Sequence, residues 1–129
     1  MRYYIIAGEA SGDLHGSNLI KSLKKFDKKA KIRAWGGNLM KSAGAEIVKH
    51  YKDLAFMGFW EVILNIRKIY NNLNLCKKDL ISFSPDCVIF IDYPGFNLRI
   101  ANWAKAKGIN THYYICLLYT SDAADDSLG

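Results

Sequence analysis

Two short stretches place carboxylates where an apolar run gives way to a turn and a helix. In "GEASGDLHGSNL" (Gly8–Leu19), Glu9 and Asp13 follow directly on the apolar run "YYIIA". Its three glycines stand four apart, whereas a dinucleotide-binding turn needs glycines two and then three apart. A carboxylate pair at this point would repel a pyrophosphate. Carboxylates accept hydrogen bonds from hydroxyls, so the turn suits a sugar better than a phosphate. Part of it also has a purely structural reading, with Ser11 as helix cap and Asp13 favourably placed against the helix dipole. That reading leaves Glu9 unexplained. In "FIDYPGFN" (Phe90–Asn97), Asp92 ends an apolar run, Pro94-Gly95 fixes a turn and Asn97 opens a helix. Asp92 then reads either as a turn residue or as a carboxylate partly desolvated by Phe90, Ile91, Tyr93 and Phe96. Desolvation makes a carboxylate a better base for activating a hydroxyl.

Other reactive side chains are scattered. His15, His50 and His112 lack metal-ligand spacing, and only His15 adjoins a candidate turn, as a possible hydroxyl or phosphate contact or as a structural histidine. Cys76, Cys87 and Cys116 show neither paired nor metal-ligand spacing and read as free thiols. The serines lack a nucleophile-elbow context.

The elements that must position these groups alternate. Strands are expected over Arg2–Ala7, Ile32–Trp35, Ala45–Val48, Cys87–Asp92 and within "NTHYYI". Helices are expected over Ser11–Phe26, Asn38–Ala43, Gly58–Phe83 and Phe96–Lys107, with Asn38 capping the second. In the first helix Leu19, Leu23 and Phe26 share a face. In the third, Phe59, Val62, Ile63, Ile66, Ile69, Tyr70 and Leu73 form an apolar stripe. Phe56, Met57, Trp60 and Leu64 widen that stripe beyond what a sheet needs. With Arg67 and Lys68 nearby, the excess suits a membrane interface, an acyl chain or a second domain. The alternation implies an α/β fold, a parallel sheet with helices on both faces. Ligands of such sheets bind at the carboxyl ends of the strands, where both acidic turns fall.

The 129 residues suffice for one domain with a core. No run has the length of a membrane-spanning helix, and "MRYYIIAGEA" is not a signal peptide, so a cytoplasmic protein is expected. All 18 Lys and Arg, with nine of the 12 acids, precede residue 116, which leaves that segment at +9 and the last 14 residues at −3. A basic surface suits nucleic acid, anionic lipid or a phosphorylated substrate. No nucleic-acid reader motif accompanies the charge, so nucleic acid is not an expected partner. The closing "CLLYTSDAADDSLG" breaks the pattern and reads as translated adapter-derived sequence or as a genuine acidic tail. Residues 1–115 are therefore taken as an incomplete domain and 116–129 as a non-native tail.

In this order and spacing, "IAGEASGDLHG", "MGFWEVI", "PDCVIFIDYPGFN" and "THYYI" resemble the N-terminal domain of the lipid-A-disaccharide synthase family, over essentially all of residues 1–115. The family carries Ser-Pro-x-x-Trp-Ala-Trp where this chain has "CLLYTSD". The resemblance implies a B-type glycosyltransferase built from two Rossmann-like domains, of which this is the acceptor side. It implies transfer of 2,3-diacylglucosamine from its UDP carrier to 2,3-diacylglucosamine 1-phosphate (lipid X), at the cytoplasmic face of the inner membrane, without metal or cofactor. Glu9, Ser11 and Asp13 match the family's Gly-Glu-x-Ser-Gly-Asp, and Asp92 the aspartate of its Ile-Asp-x-Pro-x-Phe-Asn. Asp92 is then the expected general base or positioner of the acceptor hydroxyl. Glu9, Ser11, Asp13, His15 and Asn97 are the expected substrate contacts, with Asn97 buttressing its turn. Met57, Trp60 and Ile63 are the expected membrane or acyl-chain contacts. Some members have a second aspartate where this chain has Gly95. The UDP-binding half is not in this stretch, so the stretch alone is expected to be inactive. The alternative is a non-catalytic, flavodoxin-like α/β binding module.

Overall fold

The structure, a computed structural model, describes residues 1–54, 66–91 and 94–114. Strands β1 (Arg2–Ala7), β2 (Lys31–Gly36), β3 (Glu46–His50), β4 (Cys87–Ile91) and β5 (Thr111–Tyr113) form one sheet in the order β3-β2-β1-β4-β5. Every pairing is parallel. Between them run α1 (Ala10–Phe26), α2 (Asn38–Ser42), α3 (Ile66–Phe83, in its described part) and α4 (Pro94–Ala106). The expected α/β class and parallel sheet are therefore present. The order puts β1 between β2 and β4, as in dinucleotide-binding α/β halves. A flavodoxin-like sheet would run 2-1-3-4-5.

Both faces of the sheet are covered, which is why its strands read as continuous apolar runs. Tyr4, Ile6, Trp35, Val88 and Phe90 pack against Leu73, Cys76, Leu80 and Phe83 of α3 and Phe96, Ile100 and Ala101 of α4. Ile5, Ala7, Ile32, Ala34, Ile89 and Ile91 face α1 and α2 through Ile20 and Met40. A polar clip crosses the first layer. The Trp35 indole N–H donates to the Tyr4 hydroxyl at 2.7 Å, which donates to Asp79 Oδ2 at 2.7 Å, and Arg33 donates to Asp79 Oδ1 at 2.8 Å.

Several expectations need correction. Of the expected α1 face, Leu19 and Leu23 pack partly buried against the core, but Phe26 is 88% exposed, and the fully buried stripe is Gly12, Asp13, Gly16, Ser17 and Ile20. Small residues let this helix approach the sheet: a Cβ on Gly12 would come within 2.9 Å of Ala7 Cβ. In α3, Ile66 and Tyr70 of the expected core stripe are exposed, and the buried face is set by Leu73, Cys76, Leu80 and Phe83. Pro94 and Gly95 belong to α4 itself, with Pro94 at its first helical position, where its fixed φ and missing N–H cost nothing. The third strand lies slightly later than expected, at Glu46–His50. Among the described residues no helix is long and apolar enough to cross a membrane.

Candidate functional site

The sheet order makes β1 and β4 neighbours, although the helices following them lie on opposite faces. This is the point where a doubly wound sheet opens a crevice at its carboxyl edge. The register aligns Ala7 with Ile91, the last residue of each strand. The chain runs from Ala7 through Gly8 into Glu9, and from Ile91 into Asp92. The two acidic turns that stand 83 positions apart, Glu9 against Asp92, thus leave the sheet from adjacent strand ends.

Glu9 occupies the N-cap position of α1 with extended backbone, but its side chain makes no capping bond. It is exposed, and the Ser11 hydroxyl donates to its Oε1 at 3.3 Å. Ser11 therefore lies inside the helix and does not cap it. Both side chains are exposed just beyond the end of β1. Among the described residues the Glu9 carboxylate has no hydrogen bond other than that from Ser11.

Asp13 is in a different situation. It is 3% exposed, and its carboxylate accepts three backbone N–H bonds: from Gly37 at 2.8 Å, Met40 at 3.0 Å and Leu39 at 3.1 Å. These are orphan donors at the start of α2, so Asp13 caps a helix other than its own. The expected cap, Asn38, is the first residue of α2, and the N-cap position belongs to Gly37, which has no side chain to offer. A Cβ on Gly37 would meet the Asp13 carboxylate at 2.6 Å. The Gly36-Gly37 pair, which ends the second strand, was the available sequence signal for that close approach. Asp13 thereby ties the Glu9 turn to the end of β2.

Asn97 is 2% exposed in α4 and donates through Nδ2 to the Ile6 carbonyl at 3.5 Å, reaching from the turn after β4 to the end of β1. Its Oδ1 is buried and has no hydrogen-bond partner among the described residues. His15 is half-buried on α1. Among the described residues no three His, Cys, Asp or Glu side chains cluster as a metal site would require. Asp92, Met57, Trp60 and Ile63 lie outside the described residues, as does the 116–129 tail.

The sequence pattern of the lipid-A-disaccharide synthetase family matches residues 3–117. The lipid-A-disaccharide synthase of Coxiella burnetii (strain Dugway 5J108-111) is 41% identical over 111 residues, covering 86% of this chain and 30% of that protein. That of Geobacter metallireducens is 41% identical over 114 residues, covering 88% and 30%. The chain thus spans about 30% of the length of these curated relatives. Among solved structures, a UDP-GlcNAc 2-epimerase from Neisseria meningitidis bound to UDP-GlcNAc is similar with a TM-score of 0.64 and 15% identity, over 97% of this chain and 35% of that one. At such identity the likeness concerns the fold alone.

Proposed function

The chain belongs to the lipid-A-disaccharide synthetase family, and we propose that it supplies the acceptor-binding part of an enzyme that joins two acylated glucosamines. In this reading the donor is UDP-2,3-diacylglucosamine and the acceptor is 2,3-diacylglucosamine 1-phosphate. The acceptor hydroxyl attacks the anomeric carbon of the donor, the bond to UDP breaks, and the hydroxyl proton passes to Asp92. Glu9 and Ser11 accept and donate hydrogen bonds to sugar hydroxyls at the mouth of the crevice. Asp13 and Asn97 hold the two turns in register, and His15 contributes from the flank. The observation that supports this reading is the alignment of Ala7 with Ile91, the strand ends from which the chain continues toward Glu9 and toward Asp92.

Residues 1–115 form the acceptor-side domain, and the UDP site belongs to the part of the relatives' length that this chain does not span. Tail residues 116–129 take no part. Met57, Trp60 and Ile63 meet acyl chains or the cytoplasmic leaflet of the inner membrane, where both substrates reside. The reading is tested by measuring UDP release from a protein spanning the family's full length. Asp92→Ala is expected to lower the rate by about 10²–10⁴-fold, the usual contribution of a general base. The present chain alone is expected to release none. An Asp92→Ala enzyme with an undiminished rate would exclude the base assignment.

A further inference from the structure

The parallel sheet gathers the beginnings of its strands at the edge opposite the crevice, and this edge is basic. Arg2 opens β1 and Lys31 opens β2, and the register sets them directly beside each other. An open groove of about 420 Å³ lies here, in the size range of small-molecule sites. Arg2, Lys24, Lys31 and Arg33 line it, over a floor that includes Ile32 and Phe83. Lys24 reaches it from the end of α1, its ammonium lying against Gly44 just before β3.

The charges do not cancel. Glu46, the one carboxylate in the lining, is paired with Arg33 at 2.8 Å, and Arg33 also holds Asp79 at 2.8 Å. Asp27 pairs with the Met1 ammonium. The side-chain cations of Arg2, Lys24 and Lys31 have no ion-pair partner among the described residues, and the nearby Asp86 carboxylate accepts the Arg2 backbone N–H at 2.7 Å. Arg2 uses its Nε–H on the Phe83 carbonyl, which leaves its terminal N–H groups over. The Arg2 and Arg33 guanidinium carbons lie 4.3 and 4.8 Å from the same Phe83 ring centroid. The two guanidinium groups therefore lie within a Debye length, roughly 10 Å at 0.1 M salt, but Glu46 and Asp79 already neutralise Arg33. The like charges of Arg2 and Lys31, in register across neighbouring strands, are unfavourable. An anion seated beside them would relieve that cost.

We propose that this amino-edge groove is a second binding site, for a phosphate-type anion. The Arg2 guanidinium supplies planar, paired donors, and Lys24 and Lys31 supply point charges on either side. Ile32 and Phe83 give an apolar surface beside the phosphate for whatever carries it. The anion is a free phosphate or phosphate ester, or the headgroup of an anionic lipid. The site lies at the opposite end of the strands from Glu9 and Ser11 and does not depend on the transfer reaction.

The test titrates the chain with inorganic phosphate, and separately with vesicles of phosphatidic acid in phosphatidylcholine against phosphatidylcholine alone. Lys24→Gln/Lys31→Gln removes two charges from the groove without touching a side-chain hydrogen bond among the described residues. Lys41→Gln/Lys52→Gln removes two exposed charges elsewhere and serves as the matched control, and thermal melts check that both variants fold. Saturable binding is expected, weakening with salt. It should fall about tenfold or more in the groove variant, the scale of two lost charge-assisted hydrogen bonds, and less than about twofold in the control. That pattern with inorganic phosphate assigns the site to a free phosphate, and the same pattern only with phosphatidic acid assigns it to a lipid headgroup. No saturable binding to either probe, or a loss no larger in the groove variant than in the control, overturns the proposal.

Discussion

Two carboxylates, two and six residues beyond the end of β1, have opposite fates, and burial explains the difference. Glu9 stays exposed, with the Ser11 hydroxyl as its side-chain partner among the described residues, while Asp13 is buried with three backbone N–H donors. Replacing Asp13 with Asn keeps the shape but turns one acceptor into a donor that faces N–H groups. Asp13→Asn is expected to lose about 2 kcal/mol of stability, the cost of breaking hydrogen bonds to a buried charged group, read as a lower urea midpoint. Tyr4 gives a second residue-level expectation. Burial, then the neighbouring Cys76 and Asp79, push its hydroxyl pKa well above the usual tyrosine value of 10.0. A raised pKa means that the stabilisation is complete below that ordinary value and is lost as pH climbs above it. The protein should therefore lose stability at alkaline pH with a slope that Tyr4→Phe reduces. At neutral pH that variant should be weaker by about 1–3 kcal/mol, because Trp35 and Asp79 each lose a partner. Urea melts at pH 8 and above pH 10 measure both effects, and equal slopes in the two proteins would sink the assignment.

At the scale of elements, the decisive contact is α1 against the ends of β1 and β4. Gly12 permits it, since a Cβ there would stand 2.9 Å from Ala7 Cβ and 3.5 Å from Ile91 Cγ2. Gly12→Ala must move the first turn of α1 away from both strand ends. The expected cost is about 1–3 kcal/mol of overpacking. In the full-length enzyme a rise in acceptor KM should accompany it, as Glu9 and Ser11 shift. A variant with wild-type stability and unchanged KM would show that this contact does not position the turn. The strands and most helices were legible as elements, because doubly covered strands are continuous apolar runs and glycines punctuate their ends. Which face of each helix is buried was less legible. Besides Ile20, the buried α1 stripe uses two glycines, a serine and an aspartate that caps another helix, none of which registers as apolar, and α3 turns Ile66 and Tyr70 outward.

For the molecule as a whole, the sheet separates two chemistries. At its carboxyl edge the ends of β1 and β4 lead toward Glu9 and Asp92, and its amino edge gathers Arg2, Lys31 and Arg33. The proposed membrane or acyl contact belongs at this scale as well, since it concerns how the protein meets a bilayer. Trp60→Ser with Ile63→Ser is expected to reduce co-sedimentation with liposomes severalfold, through lost apolar insertion. Unchanged sedimentation would remove these side chains from the membrane contact.

The amino-acid sequence by itself determined the α/β alternation, the two acidic turns and the family, since each depends on local order: apolar runs, glycine punctuation and motifs in a fixed succession. Only the tertiary structure decided that β4 lies beside β1, and hence that turns far apart in the chain leave from one place. It alone showed that Asp13 spends its carboxylate on α2, and that strand beginnings separated by a whole helix unite their cations in one groove. The physical reason is the same in each case. Strand pairing and helix capping act between residues distant in sequence, and their partners become visible only when the sheet has closed its register.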